Sequence, residues 1–174
     1  MKRKTFISIL LIATVFTILY TLFLFMPYFA ETNKATGVVD KIVFGYQIGF
    51  GFKGTSSENI KGNLGILICQ LGGMFASLTS IFFFIYYGIL RKESKIMYLL
   101  SGLSFLGLSL AFTSICIAWP VYQNLNATKD QIAQYSWEYF FTLATTGIAL
   151  IINGFVTIYC AINKKGIKEN ETSK

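Results

Sequence analysis

The sequence predicts an all-α membrane protein: a bundle of four transmembrane helices with a small extracytoplasmic β-strand or hairpin in the first outer loop. Only 13% of the 174 residues are charged, against about 25% in an ordinary soluble domain. Four apolar segments contain no Asp, Glu, Lys or Arg, and each exceeds the roughly 20 residues with which a helix crosses a bilayer. These segments are residues 5–30, 64–90, 96–119 and 139–163. An alternating apolar pattern between the first two segments predicts the strand. We expect residues 1–174 to form one integral membrane domain.

The first apolar segment follows three basic residues, Lys2, Arg3 and Lys4, as the apolar core of a signal peptide does. The segment is much longer than the about 7–15 apolar residues of a signal peptide, and Tyr28 stands where a cleavage site has a small residue. We therefore expect an uncleaved transmembrane helix. Pro27 is expected to kink or terminate it near its outer end, because proline lacks the backbone N–H that a helix needs.

The first outer loop, residues 31–63, departs from the helical pattern. Between Lys41 and Lys53 the large apolar residues occupy every second position, and this period of two predicts a β-strand or hairpin with one aromatic face. The face consists of Ile42, Phe44, Tyr46, Ile48, Phe50 and Phe52. Such a face either packs on the outer helix ends and the headgroup layer or recruits another protein by strand addition. We favour packing within the chain because large exposed apolar patches are uncommon.

Small and weakly polar residues recur in the four helices at steps of three and four, so that they share one face of each helix. They are Thr14, Thr17 and Thr21 in the first, Gln70, Gly73, Ser77 and Ser80 in the second, Ser104, Gly107, Ala111 and Ser114 in the third, and Thr142, Thr146, Ala149, Asn153 and Thr157 in the fourth. Lipid provides no hydrophobic drive between helices, so these faces are expected to turn inward and pack against one another.

Gln70 and Asn153 carry the two amide side chains of these faces and form the candidate intramembrane polar site. Under one hypothesis they line a permeation path or a small polar site between helices. Under the other they join neighbouring helices by hydrogen bonds. We favour the second, because polar contacts at helix interfaces are the norm in membrane proteins.

The basic residues predict the orientation. Ten of the fifteen flank the membrane on one side: Lys2, Arg3, Lys4, Arg91, Lys92, Lys95, Lys164, Lys165, Lys168 and Lys174. Because Lys and Arg in short loops favour the cytoplasm, both termini, the turn 91–95 and the tail 164–174 should be cytoplasmic, with loops 31–63 and 120–138 outside. The net charge of +7 is then explained by topology and contact with lipid headgroups, and no nucleic-acid partner is expected.

The sequence offers no catalytic, cofactor-binding or metal-binding residues. It contains no His, which is the commonest general base and metal ligand, and no phosphate-binding or dinucleotide-binding motif. The spans lack the ionisable groups that ion-coupled transporters and proton relays use. Cys69 and Cys116 should lie at similar depth on neighbouring helices, so a disulfide between them is conceivable, although free Cys commonly packs as a small apolar residue.

Four helices with a β-rich first outer segment and a shorter second one resemble the claudin-type tetraspan arrangement in architecture. Residues 31–63 contain neither the Trp nor the Cys pair of that family's first outer segment, so the resemblance implies no function. We expect a non-enzymatic accessory or interaction protein of the cell membrane, whose partner is a membrane protein or a second copy of the chain and whose first outer loop makes the contact. The alternative is a small channel or transporter subunit with a polar path between helices.

Overall fold

The computed structural model describes residues 3–53, 59–90, 95–126 and 131–172. Within these residues, four helices are long and apolar enough to cross a membrane: Arg3–Phe23, Leu64–Ile89, Ile96–Asn126 and Trp137–Ile162. We label the complete helices α1 (Arg3–Phe23), α3 (Leu64–Phe83, continued by a π-helical segment, Phe84–Ile89), α4 (Lys95–Asn126) and α5 (Trp137–Thr172). Helix α1 packs against α3 and α5, and α4 packs against the same two, so the four form a closed bundle. The predicted four-helix class is confirmed to that extent.

The first helix is shorter than the predicted span 5–30, because α1 ends at Phe23 and the chain becomes a strand, β1 (Pro27–Asn33). Pro27 explains the boundary. In a continuing helix its ring would clash with the carbonyl of Phe23, four residues back, and a residue before proline avoids the helical conformation. The last residues of the predicted span therefore belong to a sheet.

A three-stranded antiparallel sheet lies at one end of the bundle, with β1 in the centre and β2 (Val39–Phe44) and β3 (Gln131–Tyr135) at the edges. In its register Ala30 faces Ile42 and Glu31 faces Lys41 across β1 and β2, and Phe29 faces Tyr135 across β1 and β3. The sequence predicted β2 in part and missed both β1 and β3. We call the sheet and its adjoining segments, residues 27–53, 59–63 and 131–136, the sheet module.

The predicted strand over residues 42–52 is wrong beyond Phe44. Ile42 and Phe44 lie in β2, but a short helix, α2 (Gly45–Phe50), follows at once and contains Tyr46, Ile48 and Phe50, while Phe52 forms an isolated β-bridge with Ile60. The single aromatic face is also wrong, because Val43 is buried and Ile42 is 53% exposed. Tertiary hydrogen bonds override the local pattern: the Tyr46 N–H donates to Leu24 O (2.8 Å), and Gln47 Oε1 accepts from the Phe44 N–H (3.0 Å).

Helix α4 also differs from its predicted span, since it continues through Pro120 to Asn126 instead of ending at Trp119. A proline inside a helix removes one backbone hydrogen bond. The extra turns nevertheless bury Tyr122 completely, and its ring lies 5.5 Å from that of Phe29 in β1. The burial of this aromatic side chain offsets the lost bond. Helix α5 likewise extends into the expected tail, whereas residues 91–94 of the expected turn lie outside the described residues.

One apolar core joins the sheet module to the helices. Its buried side chains come from all five helices, from β1 and β2 and from the segments that follow α1 and precede α3: Tyr20, Leu24, Tyr28, Phe29, Val43, Ile48, Ile60, Ile66, Ala111, Ile115, Ala118, Tyr122 and Tyr139. A second core lies towards the opposite end of the bundle around Phe6, Phe83 and Tyr87. There the Arg3 guanidinium lies 5.3 Å from the centre of the Tyr87 ring, a cation–π contact between α1 and the π-helical segment.

Candidate functional site

The small and polar faces identified in the sequence lie in the interior of the bundle. Every residue of the four sets is buried except Thr21 and Thr157, which are half-buried. Large apolar side chains instead cover the outside of the helices, where Leu22, Phe82, Leu106 and Ile151 are among the most exposed. The four helices therefore meet at small and polar residues and present large apolar side chains outward.

Asn153 joins three helices near the middle of the bundle. Its Oδ1 accepts from Ser104 Oγ of α4 (3.0 Å), and its Nδ2 donates to Thr17 Oγ1 of α1 (3.3 Å) and to Ala149 O of its own helix (2.9 Å). The side chain is 3% exposed. Both polar atoms of the amide therefore have direct protein partners, which is the usual condition for burying an amide at low cost.

The remaining hydroxyls extend this contact to α3. Ser80 Oγ lies 2.6 Å from Ser104 Oγ, and Ser77 Oγ donates to Thr17 O (2.8 Å) and also lies 2.8 Å from Thr21 Oγ1. At these separations no water fits between the bonded atoms. The arrangement is a directly bonded polar layer that links all four helices, which we call the Asn153 layer.

Gln70, the other predicted site residue, does not meet Asn153. Along α3 it precedes Ser80 of the Asn153 layer by ten residues, a separation of about 15 Å in a helix. Its Nε2 donates to Gly45 O of α2 (2.8 Å). Helix α2 packs so closely here that a side chain on Gly49 would collide with the Gln70 amide and the Leu67 backbone. Gln70 thus fastens the sheet module to the bundle, and the structure does not place the two amides in one site.

Helices α3 and α4 approach each other most closely at glycines. A Cβ on Gly107 would come closer than 3.0 Å to the carbonyl oxygen of Gly72 and to the Ala76 side chain, and a Cβ on Gly73 would collide with Tyr20 and Ala111. Such backbone proximity is the usual means by which membrane helices gain packing energy. The interior between these helices is consequently filled.

The sheet module is fixed to the helices by aromatic packing and backbone hydrogen bonds. The Phe29 ring lies 5.0 to 5.6 Å from the rings of Trp119, Tyr122, Tyr135 and Tyr139. The Ser136 N–H donates to Tyr28 O (3.0 Å), and the Ser136 hydroxyl bonds to Pro27 O. The opposite face of β2 is uncovered, with Val39 and Ile42 exposed by 52% and 53%, and Val38, just before the strand, is 60% exposed.

Sequence reasoning missed a group of buried polar side chains next to this aromatic core. Glu31 is only 2% exposed and its Oε1 has no hydrogen-bond partner among the described residues, and the same holds for the hydroxyls of Tyr20, Tyr28 and Tyr122. Burial raises the pKa of the Tyr28 phenol above its usual range. The sequence pattern assigned Glu31 to a solvated loop, since nothing in it marked the residue as the inward side of a central strand.

The described residues contain three free cysteines and no cluster of three or more His, Cys, Asp or Glu side chains that would suit a metal ion. Cys69 is half-buried and Cys116 is exposed on the outside of α4, so the conceivable disulfide is not formed. The chain matches no protein-family model, no curated protein and no solved structure. Its function must therefore be argued from its own geometry, and the architectural resemblance to claudin-type proteins gains no support from a solved structure.

Proposed function

We propose that this chain is a non-enzymatic accessory or interaction protein of the cell membrane, with both termini in the cytoplasm and the sheet module outside. Its contact surface is the hairpin tip and the outward face of β2, formed by Val38, Val39 and Ile42. The observation that carries the proposal is that these three neighbouring apolar side chains are more than half exposed on a module that aromatic packing fixes to the helices.

Lipid is a poor candidate for covering this surface. Phe29 and Val43 are paired across β1 and β2 and are both fully buried towards the helix ends. Side chains alternate along a strand, so Ile42 lies on the opposite face, away from the bundle. Another protein, either a membrane protein or a second copy of the chain, is the partner that fits this face.

The edge of β2 offers a second means of contact. In the described sheet β2 pairs with β1 alone, so it forms an edge of that sheet. An exposed edge of this kind accepts an added strand from another chain. The apolar side chains at the same edge would add affinity to the backbone hydrogen bonds.

The Asn153 layer supports this reading over the alternative of a channel or transporter subunit. A permeation path needs polar groups that face a space, whereas Asn153, Ser104 and Ser80 bond directly to one another. They therefore serve helix packing in the state described here.

The test is photocrosslinking in native membranes, with benzoylphenylalanine at Ile42 and, as the matched control, at Ala35 in the exposed turn of the same hairpin. We expect a defined crosslinked protein from Ile42 and none from Ala35. The double variant Val39→Ser/Ile42→Ser should reduce recovery of that protein at least fivefold, while Ala35→Ser retains it. Crosslinks to lipid alone, or unchanged recovery with the double variant, would overturn the proposal.

A further inference from the structure

A groove of about 550 Å³ opens on the sheet module at the start of α3. Its lining consists of Phe50, Gly51, Phe52, Lys53, Asn59, Ile60, Lys61 and Gly62. The two walls are joined by the bridge between Phe52 and Ile60, whose reciprocal N–H to carbonyl bonds measure 2.9 and 2.8 Å. The groove is thus part of the folded module.

The position of both walls is set by specific backbone contacts. The Lys61 N–H donates to Asn126 Oδ1 at the end of α4 (2.7 Å), and Asn126 Nδ2 donates to Lys61 O (3.2 Å). Gly51 has a φ of 75°, and a Cβ on Gly62 would collide with the backbone of residues 49–51. Both glycines are needed for this close crossing. The Lys61 backbone is therefore held in place while its side chain is exposed.

The charge of the groove has one sign. Lys53 and Lys61 are exposed, and neither ammonium group has an ion-pair partner in residues 3–53, 59–90, 95–126 or 131–172. The described residues of the lining include no Asp or Glu. Two exposed ammonium groups on one concave surface favour an anionic ligand.

The apolar residues of the groove place it at the depth where the bundle leaves the bilayer. The Asn63 N–H, at the start of α3, donates to Ile48 O (3.0 Å), so α2 lies beside the first turn of α3. Phe50 and Leu64 at this level are 52% and 70% exposed. Lys53 and Lys61 are each three residues from one of these two side chains. Exposed apolar and aromatic side chains next to lysines are typical of the membrane interface, where lysine reaches towards the headgroups.

We propose that this groove binds the phosphate headgroup of an anionic lipid in the outer leaflet. Lys53 and Lys61 contact the phosphate, and Phe50 and Phe52 contact the glycerol and the upper part of the acyl chains. The inference rests on the proposed membrane orientation but uses none of the β2 residues assigned to partner binding. Continuity with the exposed apolar start of α3 favours a lipid over a soluble anion, because a free phosphate would leave the two phenylalanines uncovered.

The test uses Phe52→Trp as a fluorescent reporter in vesicles, with the unmodified chain providing the background from Trp119 and Trp137. Phosphatidylglycerol and phosphatidylcholine brominated near the glycerol are compared as quenchers. We expect the reporter to be quenched at a severalfold lower mole fraction of brominated phosphatidylglycerol. Lys53→Gln and Lys61→Gln should each lower this preference about threefold to fivefold, since each charge near the surface adds on the order of 1 kcal/mol.

Lys34→Gln is the matched control, because it removes one charge from the β1–β2 turn of the same module and should leave the preference unchanged. Equal quenching by the two lipids, or an equal effect of all three lysine variants, would overturn the proposal. Recovery of fluorescence on adding inorganic phosphate at constant ionic strength would identify a soluble-anion site and would also overturn it.

Phe50→Trp provides a second reporter if Phe52→Trp does not fold. Loss of the crosslink at Ile42 would leave these results unaffected, so the two proposals fail separately.

Discussion

Replacing Asn153 by leucine tests whether the Asn153 layer serves packing. Leucine has the same number and branching of side-chain heavy atoms as asparagine, so it leaves no cavity, although its methyl groups occupy more volume. The variant loses the bonds to Ser104 (3.0 Å) and Thr17 (3.3 Å) on other helices. Hydrogen bonds between membrane helices contribute about 0.6 kcal/mol on average and at most about 1.7. Two such bonds predict a destabilisation of roughly 1 to 3 kcal/mol.

The lower end of that range is expected, because the abandoned hydroxyls keep other partners. Thr17 Oγ1 also donates to Ala13 O (2.7 Å), and Ser104 Oγ stays 2.6 Å from Ser80 Oγ. The loss of a hydrogen bond is expensive when it leaves a buried donor without a partner. Neither of these two hydroxyls is left without one. We therefore predict that Asn153→Leu lowers the free energy of unfolding by about 1 kcal/mol, the sum of two average interhelical bonds.

The assay is reversible unfolding in mixed micelles, arranged as a double-mutant cycle of Asn153→Leu with Ser104→Ala. The cycle isolates the pairwise term, and we expect a coupling energy of about 0.6 kcal/mol between the two residues. Thr113→Val, at an exposed position of α4, is the control and should change stability by less than about 0.5 kcal/mol. A coupling of zero, or an ion or solute flux in liposomes that Asn153→Leu abolishes, would refute the packing interpretation.

Three further predictions concern other parts of the molecule. Gly107→Ala should destabilise the protein by about 1 to 3 kcal/mol through overpacking against Gly72. Gly102→Ala on the same helix, where a Cβ meets nothing within 4 Å, should be neutral or stabilising, and equal effects of the two substitutions on stability would contradict the close α3–α4 approach. Thiol titration of the denatured, unreduced protein should find all three cysteines free, and a count of one would show a disulfide. Burial raises the pKa of the Tyr28 phenol above its unperturbed value of 10.0, so the stability that depends on the neutral phenol is complete below pH 10.0 and is lost as the pH rises above it. Tyr28→Phe should therefore make the fall of the unfolding free energy with alkaline pH shallower, and an unchanged slope of unfolding free energy against pH would argue against burial of the phenol.

The bundle could be predicted from sequence because its signals are local and strong. Long uncharged segments define the helices, and the steps of three and four between residues such as Thr17, Gly107 and Asn153 place them on buried faces. For helices that cross a bilayer, the interior of the bundle is the position that suits small polar residues. The interior faces therefore followed from periodicity, whereas the partners of each hydroxyl did not.

The sheet module could not be predicted because tertiary contacts decide it. Residues 27–30 have the composition of a transmembrane helix, and Pro27 marked its end without indicating a strand. The alternation around Ile42 and Phe50 suggested one strand, but bonds from Gly45 and Tyr46 to the segment between α1 and β1 (3.1 and 2.8 Å) turn the chain into α2. Such contacts join residues about 20 positions apart, which no local pattern encodes. The burial of Glu31 followed from the same undetected strand.

The central claim is a bundle that crosses the membrane four times, with both chain ends in the cytoplasm and the hairpin between β1 and β2 outside. The most direct measurement places an epitope tag after Ala35 and, in separate chains, at each terminus, and probes intact spheroplasts with a membrane-impermeant protease. We predict cleavage at the Ala35 tag and protection of both terminal tags until the cells are lysed. Terminal tags in opposite compartments, or a protected Ala35 tag, would contradict the account.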